Sequence, residues 1–217
     1  MARGTIFGTM HSNIDLGLIQ QKIEISPAEP KLNLVDIPCA DGSKDMTESL
    51  GVGVKYNDRE IAWTFALYPG ADWFEKQAEI SNALNGKRLH ITPDGMDGWY
   101  YDGRISVDNY TSDRLLHQIT VKAICFPYKR KTSDTVATRE DLSTSYKNLS
   151  LHIGPMPQIP VITVAQETTI KWGDVVVTLN AGTITIPDLY MSGDQTLQAK
   201  VTSGTGQIII TWREGSL

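Results

Sequence analysis

Most of what would mark this chain as an enzyme, a membrane protein or a nucleic-acid binder is missing from its sequence. It has two cysteines, Cys39 and Cys125, far apart and outside any CxxC spacing, so neither a zinc site nor a disulfide is expected and each reads as a reduced, partly buried thiol. No stretch approaches the roughly 18 apolar residues of a membrane span, and the start, Met1-Ala-Arg-Gly-Thr-Ile-Phe, lacks a secretory apolar run, which predicts synthesis in the cytosol. Positive charge is not in excess: 20 Lys and Arg stand against 25 Asp and Glu, for a net charge of -5. A phosphate backbone recruits the opposite balance, so no specific nucleic-acid binding is expected.

Catalytic signatures are missing as well. There is no GxSxG elbow, no P-loop and no GxGxxG between a strand and a helix. His11, His90, His117 and His152 never fall at the i, i+4 spacing of a helical metal site. Asp94, Asp97 and Asp102 are close in sequence but lack the ligand ladder and later bidentate Glu of a calcium loop, so they read as turn aspartates. These absences predict no enzyme activity, no cofactor and no metal.

What is present is β periodicity. With 217 residues, 41% of them hydrophobic, the chain can bury a core in one or two domains at about 150 residues per domain. Residues 14–37 hold short apolar runs broken by Pro27 and Pro30, the pattern of brief edge strands, and residues 40–51 form a polar loop. Val52, Val54 and Tyr56 alternate before Asn57-Asp58, and Ile61, Trp63, Phe65 and Leu67 alternate after it, which predicts a hairpin over 52–68. The period then turns helical: Trp73, Gln77, Ile80 and Leu84 form a stripe with Phe74 beside it, Asp72 is placed to cap the start, and Asn85-Gly86 supplies a left-handed stop.

Residues 88–126 return to strands, with a turn at Pro93-Asp94-Gly95. The polar segment 127–158 has the composition of a linker or arm and contains Lys129-Arg130-Lys131, three charges that read as solvated. From Ile159 to Leu217, short strands alternate with Gly-bearing turns, the pattern of a small β-sandwich. The expected organisation is mainly β: a β-rich N-terminal domain with one helix at 1–126, a linker at 127–158 and a sandwich at 159–217.

In that order, the elements and several short stretches resemble the distal tail proteins of long-tailed siphophages. The stretches are Phe7-Gly-Thr-Met-His-Ser-Asn-Ile-Asp-Leu-Gly-Leu18, Ile37-Pro-Cys-Ala-Asp-Gly42, Asp45-Met-Thr-Glu-Ser-Leu-Gly51, Tyr56-Asn-Asp-Arg59, Asn85-Gly-Lys87, Trp99-Tyr-Tyr-Asp-Gly-Arg-Ile-Ser106 and Gly206-Gln-Ile-Ile-Ile-Thr-Trp-Arg-Glu-Gly-Ser-Leu217. The resemblance implies a structural virion protein at the phage tail tip, made in the host cytoplasm. Its N-terminal domain would be ring-forming, assembling with itself as a homo-hexameric ring, single or two rings back to back. Outside the ring would lie a reduced galectin-like sandwich. Implied partners are the tail tube protein, the tail-tip hub or baseplate proteins and a receptor-binding protein. An intact phage, a prophage and a gene-transfer particle are equally compatible sources.

Two residue pairs follow as candidate sites. Arg59 and Arg104 sit near strand starts beside Asp58 and Asp102, where a planar guanidinium can clamp carboxylates or carbonyls within the chain or between subunits. The strand of Trp63 and Phe65, with its side chains in the core, offers a backbone edge to a neighbour. Trp172 and Trp212 lie on sandwich strands and are candidates for stacking on sugar rings, the feature behind an alternative reading as a carbohydrate-binding module, although two tryptophans on strands more often fill the sandwich core.

Overall fold

In the computed structural model, which describes residues 3–49, 53–67, 72–112 and 117–217, the chain folds as two compact units, Met1–Lys129 and Arg130–Leu217. Strands β1 (Thr5–Phe7), β2 (Met10–His11), β3 (Leu18–Ile25), β4 (Leu34–Asp36), β5 (Ser43–Asp45) and β6 (Arg59–Leu67) precede the helix α1 (Trp73–Leu84). After it come β7 (Arg88–Pro93), β8 (Trp99–Ser112), β9 (His117–Cys125) and β10 (Lys129–Lys131).

The first unit is built on an antiparallel sheet in the order β2-β1-β7-β8-β9-β6-β3. Alternate residues of its strands point to one face, and the apolar ones meet there: Ile61, Trp63 and Phe65 of β6, Ile119, Val121 and Ala123 of β9, Ile105 of β8, Ile91 of β7 and Phe7 of β1 are all fully buried. Phe7 meets the Trp63 ring edge-on at 5.2 Å, and the Trp63 indole N–H donates to Thr5 Oγ1 at 3.0 Å, so the one polar atom of this side chain is satisfied inside the core. Ile80 and Leu84 of α1 join the same core.

The helix starts and stops as its sequence predicts. The Asp72 carboxylate accepts the Glu75 N–H at 3.0 Å, and Gly86 takes φ 75° just past the end. Phe74, beside the stripe, is 78% exposed, one step around the helix from the buried Ile80 and Leu84.

Among the described residues, the hairpin expected over 52–68 does not form. Val52 and Tyr68 lie outside the described residues. The remainder of the first arm is not paired with β6; Tyr56 instead makes an isolated bridge to Pro30 and meets Tyr128 edge-on at 5.9 Å. β6 lies between β3 and β9, antiparallel to both, with Ile61 opposite Ile25 on one side and Ala123 on the other. Both of its backbone edges are therefore occupied, and the strand of Trp63 and Phe65 offers no free edge; that role falls to β3. The loop at 40–51 is also less irregular than expected, since β5 pairs with β4 as a small hairpin.

The second unit contains β11 (Thr135–Leu142), β12 (Lys147–His152), β13 (Val161–Val164), β14 (Thr168–Trp172), β15 (Val175–Leu179), β16 (Gly182–Thr185), β17 (Asp194–Val201), β18 (Gly206–Trp212) and β19 (Gly215–Ser216). Two four-stranded antiparallel sheets, β11-β18-β13-β16 and β12-β17-β14-β15, enclose a core that includes Leu149, Leu151, Ile162, Ile170, Leu197, Ile208 and Ile210. The sandwich is as expected from Ile159 onward, but it begins earlier. Residues 135–152, expected as part of a linker, supply one strand to each sheet. Lys131 is likewise not a solvated linker charge; its ammonium pairs with Glu214 at 2.7 Å.

Candidate assembly surfaces

Sites for chemistry are scarce. Among the described residues no group of three or more His, Cys, Asp or Glu is placed to hold a metal ion. Asp94 accepts the Gly4 N–H at 2.7 Å and lies 3.3 Å from His11 Nε2, tying the start of the chain to the turn after β7, while Asp97 is exposed and Asp102 is taken by an arginine. The His117 ring stacks on Trp73 at 4.9 Å, His90 lies against Tyr100 at 4.1 Å, and His152 is bonded to Asp194. All four histidines, Asp94 and Asp102 thus have local structural partners.

Arg59 and Arg104 are separated by the sheet. Arg59 begins β6 with its side chain inward; it is 5% exposed, and its guanidinium lies over the Tyr101 ring at 5.3 Å, with an N–H reaching the Tyr101 hydroxyl at 3.5 Å. Among the described residues its Nε has no hydrogen-bond partner. Such a side chain braces its own unit. Arg104 is on the opposite face of the sheet, exposed, donating to the Gly86 carbonyl at 2.7 Å just past the end of α1.

The residue that clamps Asp102 is one the motif reading did not single out. Arg88, directly across from Arg104 in the ladder, donates from Nε at 2.9 Å and from a terminal nitrogen at 2.7 Å to the two Asp102 oxygens. This bidentate bond and the carboxylate's charge hold the Arg88 pKa above its ordinary value. Sequence spacing hides the pair, because Arg88 and Asp102 lie on different strands and meet only through the β7–β8 register. Together Asp58, Arg88, Asp102, Arg104, Ile124 and Phe126 border an open groove of about 400 Å³ on the outer face of the sheet.

Other exposed features lie at the edges. β3 is the last strand of its sheet, so alternate main-chain groups along it face away from β6. The segment that follows it carries Leu32, Leu34, Val35 and Ile37 exposed on and beside the β4–β5 hairpin. Scattered exposed apolar residues are ordinary, but four within six positions on a two-stranded hairpin form a patch of the kind that meets a partner.

In the sandwich, Trp212 does not offer a ring to a ligand: it is 6% exposed and packed in the core. Trp172 is half-buried, its indole N–H donating to Gln195 at 3.0 Å. None of the five tryptophans is exposed.

The architecture thus defines a mainly β protein of two units, a helix-bearing antiparallel sheet followed by a β-sandwich, and no protein-family model and no curated protein matches the sequence. A solved structure does match the fold. It is that of the SPP1 Dit protein, described as a paradigm of the hub adsorption apparatus in Gram-positive infecting phages, which superposes with a TM-score of 0.68 over 100% of both chains at 15% identity. The expected distal-tail-type fold is therefore present along the whole chain.

Proposed function

We propose that this protein is a structural component of a phage tail, a distal tail adaptor that assembles as a ring, of six copies by the family resemblance, and joins the tail tube to the tail tip, carrying hub, baseplate or receptor-binding proteins. The observation that carries this reading is the agreement of fold with the SPP1 Dit protein over the full length of both chains. The exposed chemistry fits it. A ring is built by repeating one head-to-tail contact until it closes, and the first unit has different features available for the two sides of such a contact: the open β3 edge with the apolar β4–β5 hairpin, and the Arg88–Asp102–Arg104 groove. Arg104, with guanidinium N–H groups beyond the one given to Gly86, is the side chain proposed to meet a neighbour's carboxylate or carbonyls; Arg59 supports from within.

Native mass measurement with negative-stain imaging of the purified chain, alone and mixed with its tail tube protein, tests the reading. A closed ring under either condition supports it. A monomer under both overturns it. Arg104→Glu is expected to lower the ring fraction while leaving the melting temperature within about 1–2 °C, the usual range for an exposed substitution in a chain of this size. A loss of stability with the ring retained would return Arg104 to an intrachain role. A glycan array addresses the carbohydrate-module alternative, for which the buried Trp212 and the tethered Trp172 leave no exposed indole.

A further inference from the structure

A sheet edge is a row of unpaired main-chain donors and acceptors, and proteins ordinarily guard it with charge, brevity or distortion. Among the described strands, the edges follow that rule except at one side of the sandwich. β11 carries Arg139, Glu140 and Asp141; β12 carries Lys147; β2 is two residues long; and β3, the edge assigned above to the ring contact, carries Lys22 and Glu24 and a register shift between Gln20 and Lys22, which restrict it to a partner that matches those charges. β15 and β16, the edges of the two sandwich sheets at one side, are unguarded. From Val175 to Pro187 there is no charged residue, and β15 itself reads Val-Val-Val-Thr-Leu.

The local geometry says which atoms are free. β14 and β15 are joined by Gly173-Asp174, with Trp172 opposite Val175 and Gly173 at φ 58°. In a two-residue hairpin the pair flanking the turn exchanges hydrogen bonds, and the pattern alternates from there. Val175, Val177 and Leu179 thus bond to β14, and Val176 and Thr178 direct N–H and C=O to the open side. Side chains alternate too: Leu179 is buried, Val175 and Val177 are half-buried against the sandwich core, and Val176 is 55% exposed on the outer face.

We propose that β15 pairs antiparallel with β15 of a second copy of this chain, joining two sandwiches edge to edge across a two-fold axis at Val177. The strand is complementary to itself in that register. Val176 of each copy exchanges both main-chain bonds with Thr178 of the other; on the inner face Val177 meets Val177 and Val175 meets Leu179, so the apolar row of one core runs into the next; and no like charges are opposed. The half-buried Val175 and Val177 become covered. This contact is made by the second unit and is independent of the ring surfaces of the first.

Two substitutions test it in the full chain with Cys39→Ser. Val177 faces its own copy at a pair without hydrogen bonds, where side chains approach most closely, so V177C is expected to give a discrete covalent dimer under mild oxidation. Adding Val176→Pro removes an outward N–H while sparing the ladder to β14, and is expected to cut the dimer yield at least tenfold with the melting curve unchanged. No dimer from a V177C protein that a thiol reagent still labels, or a dimer yield unaffected by Val176→Pro, overturns the proposal. Should V177C not fold, amide exchange of the unsubstituted chain decides: protection of Val176 and Thr178 that rises with protein concentration supports the pairing, and fast exchange at every concentration refutes it. A ring without cross-link refutes this contact alone; a cross-link without a ring refutes the adaptor reading alone.

Discussion

Cys125 lies on the inner face of β9, and burial there, reinforced by the negative charge of Asp102 and only partly opposed by Arg59, pushes its thiol up to about 12. At neutral pH it is a thiol, not a thiolate, and is chemically inert. Cys39 is exposed. The expectation of two partly buried thiols therefore holds for neither, and a thiol reagent at pH 8 is expected to label one site rapidly and the second only in denaturant, a count that mass spectrometry reads directly. The same place in the core explains Gly103. A Cβ added there would fall well inside contact distance of Cys125 Sγ and 3.0 Å from the Ile124 carbonyl oxygen. Gly103→Ala should cost about 1–3 kcal/mol in urea unfolding, the usual range for overpacking, and adding Cys125→Ala should recover part of it.

Glu214 gives the sandwich a pH dependence whose sign is fixed. Burial raises its pKa, but hydrogen bonds from Lys131 and Thr135 and the Lys131 charge outweigh it, so the folded value lies below the ordinary 4.5. The unfolded chain then takes up its proton first as pH falls. The stabilisation is complete above about pH 4.5 and is lost as pH drops through the lower folded value. Melting temperatures from pH 7 to 3 should fall less steeply for Glu214→Gln below about pH 4.5 than for the unsubstituted protein; parallel curves would mean that the Lys131 pair contributes nothing.

At the scale of elements, α1 was the most legible because its signals are local: a capping aspartate, a 3.6-residue stripe and a terminal Asn-Gly all act within one or two turns. Asp72→Ala removes the acceptor for the Glu75 N–H and should cost about 1 kcal/mol, measured by urea unfolding at pH 7. β6 shows the opposite case. Its alternation marked a strand correctly, yet its partners, β3 and β9, are remote in sequence, and nothing in the local pattern distinguishes them from the neighbouring Val54 and Tyr56. The missed Arg88–Asp102 clamp has the same cause, because it exists only once the β7–β8 register is set. β11 and β12 were hidden differently. Both are edge strands with one face in solvent, so their Ser, Thr and charged residues masked a period of two that Leu149 and Leu151 do carry.

For the whole molecule, that last correction moves the boundary between the units, and the shift has a measurable consequence. A sandwich beginning at Ile159 would lack β11 and β12, each an outer strand of its sheet, leaving β18 and β17 with a bare edge and removing Leu142, Leu149 and Leu151 from the core. Fully burying a leucine side chain is worth roughly 1.5–3 kcal/mol, so three of them together equal or exceed half the stability typical of a small domain. The fragment 159–217 should therefore be unfolded or aggregated, with dispersionless amide spectra. The fragment 130–217, which retains both strands and the Lys131–Glu214 pair, should melt cooperatively. If 159–217 folded alone with a sharp transition, β11 and β12 would be accessory to the sandwich, and the arm inferred from composition would regain its standing.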